Sequence, residues 1–209
     1  MKQVLTGDGS PTFYSEKYGE TYKSTSGAME EAQKKFVLPC KIADGMRILD
    51  IGFGLGYNVA VALSYAKNLS VVSLENDPEI LKQVQTLEVP LELQDSYGKV
   101  KRCAAQHSYS DASCDLKLIL GDATQTIHEV EGVFDACFLD PFSPKKNPEL
   151  WTAEFFSEIF KKLKPGAILA TYSCAGNVRR NLKGAGFEVR DGPVVGRRAP
   201  STIAVRPLT

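Results

Sequence analysis

The sequence predicts an open α/β fold: a mainly parallel sheet of seven strands with helices on both faces. Three observations lead there. From Met46 onward, short apolar runs alternate with stretches of helical periodicity, the pattern of stacked βαβ units. The first of these runs ends in a glycine-rich turn that opens a helix. The 209 residues are 43% hydrophobic and 24% charged, enough apolar material to bury one substantial core.

Taken in order, residues 1–44 lie outside the alternating pattern. They hold Gly7-Asp8-Gly9-Ser10-Pro11 and a predicted helix at Ala28–Phe36, and they are expected to cap one end of the sheet. The main domain is expected over 45–209. Its strands are predicted at Arg47–Ile51, Ser70–Glu75, Leu116–Leu120, Phe134–Asp140, Ala167–Tyr172, Phe187–Arg190 and Thr202–Arg206. Helices are predicted at Tyr57–Ala66, Pro78–Leu87, Ala123–Val130, Pro148–Leu163 and Ala175–Ala185. Asn147-Pro148 is read as the start of the fourth of these, with Asn as cap and Pro at the first helical position, and Lys164-Pro165-Gly166 as its stop. The stretch 89–115 is polar and aperiodic and is expected to be an insertion, a lid or binding loop.

Composition narrows the function classes. No apolar run reaches the roughly 18 residues that span a bilayer, and the N-terminus lacks the apolar core of a signal peptide, so a soluble cytoplasmic protein is expected. Five widely spaced cysteines form no C-x-x-C pair, and His107 and His128 sit in no ligand-like constellation, so no metal site is expected. Twenty-five basic residues balance twenty-five acidic ones. A nucleic-acid partner therefore has to be met by a local patch.

The first strand runs into Asp50-Ile51-Gly52-Phe53-Gly54-Leu55-Gly56-Tyr57-Asn58, a D-x-G-x-G-x-G turn whose glycines allow close backbone approach to a ligand. The dinucleotide fingerprint G-x-G-x-x-G fails here, because its last position falls on Tyr57 or Val59, which disfavours a pyrophosphate cradle. Glu75 ends the next strand, where an acid accepts ribose hydroxyls. Asp122, in Gly121-Asp122-Ala123, ends the third and suits an adenine amino group. Acids at successive strand ends beside a glycine turn describe an adenosyl site without phosphates, and their charge suits a sulfonium: S-adenosylmethionine. The expected cofactor set is Asp50, Gly52, Gly54, Gly56, Asn58, Glu75, Asp122 and Asp140.

The fourth strand ends in Asp140-Pro141-Phe142-Ser143-Pro144 at the middle of the carboxyl edge, where a transferable group meets its substrate. This turn is similar to the D-P-P-Y turn of amino-group methyltransferases, with the aromatic one place early. Asp140 is expected to orient an amine and accept its proton, and Phe142 to lie against a base.

Several blocks resemble the methyltransferase domain of the MnmC family: Phe138 to Pro144, Lys146 to Thr152 and Leu169 to Arg180, with Ser10-Pro11-Thr12, Tyr18-Gly19-Glu20, Gly27 to Glu31 and Gly52 to Asn58 in agreement. The resemblance implies a class I, Rossmann-like methyltransferase that uses S-adenosylmethionine to methylate the primary amine of 5-aminomethyl-(2-thio)uridine at the tRNA wobble position. It also implies that Asp140 is the catalytic aspartate and that Glu75 and Asp122 are the cofactor acids. No flavin-binding oxidoreductase domain is expected with this chain, and the substrate amine is expected to be free already. Near the C-terminus, Gly196-Arg197-Arg198-Ala199-Pro200 departs from the family's K-R-E-M stretch.

The basic clusters Lys145-Lys146, Lys161-Lys162-Lys164, Arg179-Arg180-Lys183 and Arg197-Arg198 are candidate phosphate contacts, with Arg179 and Arg180 placed first because they follow the fifth strand at the reacting edge. Tyr57, Phe142, Tyr172 and Trp151 are the candidates to stack on an extruded base, with Trp151 expected rather in the core. Three rival readings remain open on the residues alone. One is an aminopropyltransferase of the spermidine-synthase type, and another is a methyltransferase for some other amine. The third is a non-catalytic RNA-binding module on a decayed methyltransferase fold.

Overall fold

A computed structural model describes residues 1–196 and 198–208; the predicted RNA contact Arg197 lies outside them. The N-terminal segment forms an antiparallel sheet of β1 (Lys2–Leu5), β2 (Pro11–Ser15) and β3 (Glu20–Thr21). In the turn after β1, the Asp8 carboxylate accepts from Ser10 N at 3.0 Å and from Glu30 N at 2.8 Å, tying the hairpin to the start of α1 (Ala28–Glu31). That helix continues as a π-helical segment, Ala32–Val37, which buries Phe36 and sets Glu31 and Lys35 side by side. Such widened turns occur frequently at functional sites.

The main domain follows with β4 (Arg47–Ile51), α2 (Tyr57–Tyr65), β5 (Leu69–Glu75), α3 (Pro78–Thr86), α4 (Gln94–Gln106), β6 (Ser108–Asp111), β7 (Cys114–Leu120) and α5 (Ala123–Thr126). It ends with β8 (Phe134–Leu139), α6 (Ala153–Lys162), β9 (Leu163–Thr171), α7 (Gly176–Gly184), β10 (Glu188–Asp191) and β11 (Thr202–Val205). The strand order is β10-β11-β9-β8-β4-β5-β7-β6, parallel from β9 across to β7 and antiparallel at both margins. Central strands read as unbroken apolar runs because helices cover both faces. Along β4, Ile48 packs into one core with Phe36, Tyr57 and Phe138, while Leu49 and Ile51 pack into the other with Trp151, Phe156 and Ile159.

Three expectations need correction. The sheet has eight strands, not seven, because Ser108–Asp111 pairs with β7 as a hairpin. Asp111 closes its turn by accepting from Ser113 N at 2.7 Å and Cys114 N at 3.0 Å. Residues 89–115 are accordingly no lid: α4 packs on α2, burying Tyr97, Val100 and Ala104 at steps of three and four in line with Leu93 just before the helix, and Tyr97 Oη donates to Leu55 O at 2.8 Å. Gly98 and the charges between these positions blur the period in the sequence. Asn147-Pro148 opens only a single tight turn, Pro148–Trp151; Thr152 caps α6, its Oγ1 accepting from Phe155 N at 3.2 Å. Among the described residues, no helix is long and apolar enough to cross a membrane.

Candidate active site

The carboxyl ends of β4, β5, β7 and β8 open into a cleft of about 570 Å³. Gly52 and Gly54 line it, both at positive φ, and a Cβ on Gly52 would stand 2.8 Å from Asp140 O, so only glycine lets the first turn lie against the fourth. Gly56 caps α2 from behind, where a Cβ would collide with Val100 of α4. Asp50 is also behind the wall. It is fully buried, takes a 2.9 Å bond from Ser73 Oγ on Oδ2, and has no partner on Oδ1 among the described residues. Burial pushes its carboxyl up to about 7. Asp50, Gly56 and Asn58, part of the expected cofactor set, are not among the residues that line the cleft; they shape the turn that does.

Glu75 lines the cleft and accepts three backbone bonds, from Gly54 N at 2.7 Å on Oε2 and from Asn76 N and Asp77 N at 2.9 Å on Oε1. A carboxylate has about four acceptor sites, so roughly one remains for a hydroxyl from the cleft rather than the two expected. Burial raises its pKa even against those three bonds. Asp122 caps α5 through Oδ1, which accepts from Thr124 N at 2.9 Å and Thr124 Oγ1 at 2.8 Å, leaving Oδ2 toward the cleft it lines.

The N-terminal segment brings the residues that sequence reasoning missed. Lys23, 5% exposed, places Nζ 2.7 Å from Asn58 Oδ1, against Asp140 Oδ2, and 4.9 Å from the Phe36 ring centre. Asn58 Nδ2 donates to the same Oδ2 at 2.9 Å, and Asp140 Oδ1 has no hydrogen-bond partner among the described residues. Burial raises the Asp140 pKa, and Lys23 pulls it back. Close by, Glu31 pairs with Lys35 at 2.7 Å and accepts from Ser24 N at 3.0 Å; burial opposes its charge, but Lys23 and Lys35 hold it ionised. Glu20 accepts from Ser143 Oγ at 2.5 Å, and Tyr22 Oη donates to Asp77 at 2.9 Å, so the segment is latched to two of the site's turns. The only signal of this in the sequence was the Tyr18-Gly19-Glu20 block, which did not single out Lys23.

Phe142 stacks on Tyr18 at 4.1 Å and meets Tyr22 edge-on at 4.9 Å, giving an aromatic wall beside Asp140. Tyr172 lines the same cleft, with Oη donating to Pro141 O at 3.0 Å. Arg179 is elsewhere: its guanidinium pairs with Asp191 and its Nε donates to Thr202 Oγ1 at 3.1 Å, so it braces α7 against β10 and β11. That corrects its expected place at the reacting edge. Arg180 and Arg198 are exposed, and Arg198 follows the loop whose Val195 and Gly196 line the cleft.

A family model described as S-adenosyl-L-methionine-dependent methyltransferase matches residues 85–207, and one for protein-L-isoaspartate(D-aspartate) O-methyltransferase matches residues 20–139. The crystal structure of MNMC2 from Aquifex aeolicus superposes with a TM-score of 0.88 at 35% identity, covering 99% of this chain and 70% of that one.

The chain belongs to the MnmC family of S-adenosylmethionine-dependent methyltransferases.

Two further relatives differ in length. The tRNA 5-methylaminomethyl-2-thiouridine biosynthesis bifunctional protein MnmC of Ralstonia nicotianae is 31% identical over 97% of this chain, which spans only 34% of that protein. Uncharacterized protein MJ0670 of Methanocaldococcus jannaschii is 32% identical over 97% of this chain, which spans 59% of it. The cofactor is S-adenosylmethionine, and the cleft suits it: a glycine that a Cβ would crowd, strand-end acids with spare acceptors, and two lining lysines, Lys23 and Lys35, that are already paired with Asp140 and Glu31.

Proposed function

We propose that this MnmC-family enzyme methylates the primary amine of 5-aminomethyl-(2-thio)uridine at the tRNA wobble position. The observation that carries the reading is the Asp140 carboxylate. It is buried at the centre of the carboxyl edge, anchored through Oδ2 by Lys23 and Asn58, with Oδ1 open beside the Tyr18–Phe142 stack. Gly52 and Gly54 give the cofactor its backbone cradle, Glu75 takes a ribose hydroxyl on Oε2, and Asp122 takes the adenine amino group on Oδ2. When bound, S-adenosylmethionine supplies an electrophilic methyl group on a sulfonium.

An alkylamine titrates near ~10.4, so at neutral pH it arrives as an ammonium, and only the neutral form attacks. Asp140 Oδ1 binds that ammonium and takes its proton. Phe142 and Tyr172 hold the extruded base beside it, and the rest of the tRNA lies across the exposed rim. We place on that rim Lys145 and Lys146, which follow the Asp140 turn, together with Arg180 and Arg198. Lys146 is adjacent to the Gly19 turn, with Nζ 3.6 Å from where a Gly19 Cβ would stand. Residues 1–44 work with the domain 45–209 as a cap that closes the amine side of the cleft, and the protein acts in the cytoplasm, where its RNA substrate is.

The test is nucleoside mass analysis of tRNA carrying the free aminomethyl group after incubation with the protein and cofactor. The expected product is the 5-methylaminomethyl nucleoside, with S-adenosylhomocysteine in equal amount. Cofactor turnover on small amines but none on this tRNA would overturn the reading.

A further inference from the structure

We propose that Lys23 is a positioning residue of the transfer site: its ammonium, held against Asp140 Oδ2 and Asn58 Oδ1, keeps the Asp140 carboxylate charged and reserves Oδ1 for the substrate amine. This rests on the role given to Asp140 above. Lys23 sits in a segment otherwise occupied with covering the sheet, and nothing about a cap requires a lysine head group to be buried. Its backbone is fixed by a 3.0 Å bond from Lys23 N to Thr12 Oγ1, so the side chain enters the site from a rigid base.

The electrostatics make the role necessary. The groups that face Asp140 are Lys23 from the cap loop, Glu31 from α1 and Lys35 from the π-helical segment, Asn58 from α2, Asp50 from β4 and Tyr172 at the end of β9. Lys35 is committed to Glu31, and Glu31 and Asp50 repel a charge on Asp140. Lys23 is then the one cation among them that bonds to Asp140 directly. Without it, a desolvated carboxylate would keep a single bond from Asn58 and two acidic neighbours, and its charged form would lose the cation that offsets burial. A protonated Asp140 can neither attract an ammonium nor take its proton. Lys23 also acts on the substrate, because a fixed cation near an amine favours the amine's neutral, nucleophilic form. Both effects vanish together when the charge is removed, and both move the onset of activity to higher pH.

Two variants separate charge from packing: Lys23→Met removes charge and bonds, while Lys23→Gln retains polar contacts to Asp140 and Asn58. The carboxyl carbon of Asp140, assigned by its loss in Asp140→Asn, is titrated by ¹³C NMR in protein without cofactor. Its midpoint should rise by about 1 to 3 pH units in either variant, the range an opposite charge at this distance controls. The acid limb of single-turnover methyl transfer to tRNA should rise in parallel. If Lys23→Met does not fold, Lys23→Gln alone gives the answer. An unmoved Asp140 midpoint in folded Lys23→Gln, with a rate loss uniform across pH, would reduce Lys23 to a structural tether and overturn the inference. The double variant Lys23→Gln/Asp140→Asn distinguishes the failures. If Asp140→Asn alone is as active as the parent, the reading of Asp140 falls; if it is inactive while Lys23→Gln leaves the midpoint in place, only the Lys23 inference falls. Should both stand, adding Lys23→Gln to Asp140→Asn costs nothing further, because the two residues act as one unit.

Discussion

At the scale of single residues, four acids show how position and neighbours divide labour. Asp140 has a partner cation and an open oxygen. Asp140→Asn should keep cofactor affinity, measured calorimetrically, while losing about 10² to 10⁴ in single-turnover rate, with partial recovery as rising pH deprotonates the amine unaided. Glu75→Ala should weaken cofactor binding more than Asp122→Ala, since it removes a ligand and also releases Gly54 N, Asn76 N and Asp77 N, whereas Asp122 anchors only the short α5. Equal losses in calorimetry would contradict this. Asp50 has neither cation nor cleft. Its carboxyl is raised from 3.8 to about 7 in the fold, so between those values the folded state binds more protons than the unfolded chain and stability falls as pH rises. Melting curves at pH 5 and pH 8 should therefore differ less in Asp50→Asn than in the parent. Asp140, Glu75 and Asp122 were legible in the sequence because each ends an apolar strand, and parallel strands deliver their ends to one edge. Lys23 was not, because its partner lies 117 positions away and nothing in the local run Thr21-Tyr22-Lys23-Ser24 separates a buried lysine from a solvated one.

At the scale of elements, β4, β5 and β8 were readable to within a residue, since they are buried on both faces and carry little but apolar side chains, whereas β9 begins at Leu163, four residues before its expected start. The failures came where one side of an element is wet. On α4 the buried apolar residues are Tyr97, Val100, Cys103 and Ala104, with Leu93 just before the helix, and Gly98 interrupts the pattern, so a helix read as a loop. The N-terminal strands β1 and β3 are short, with exposed or half-buried residues, and leave no period. Yet both misread elements bear on the site: α4 backs the glycine turn, and the cap carries Glu20, Tyr22 and Lys23. The packing of α4 on the turn gives a test. In Gly56→Ala the new methyl meets Val100, and the residue must also hold φ near 73°, so overpacking and left-handed strain add. Urea denaturation should report a loss of about 1 to 3 kcal/mol. A stability unchanged within error would mean that α4 yields freely and does not define the turn.

At the scale of the whole molecule, the charges cancel, 25 against 25, so there is no global field to attract an RNA and any binding has to come from where the cations stand. Sequence order favoured Arg179 and Arg180 because α7 follows a strand that ends at the reacting edge. In three dimensions Arg179 turns toward Asp191 and Thr202, and its charge is already paired within the fold. The exposed Lys145 and Lys146 instead belong to the turn that carries Asp140 and Phe142, on the side where the cap's Gly19 turn meets it. A backbone that passes there delivers its base straight to the aromatic wall. Replacing Lys145 and Lys146 with Ala should therefore weaken tRNA binding and lower the slope of log K against log salt by about 0.7 to 0.9 for each phosphate no longer neutralised, with cofactor affinity intact. Arg179→Ala should leave that slope alone and lower the melting temperature, since it breaks the brace between α7 and the β10–β11 margin. Filter-binding isotherms across a salt series, run on both variants, decide between the two surfaces: a slope that falls in Arg179→Ala and holds in the double-lysine variant would return the RNA to α7.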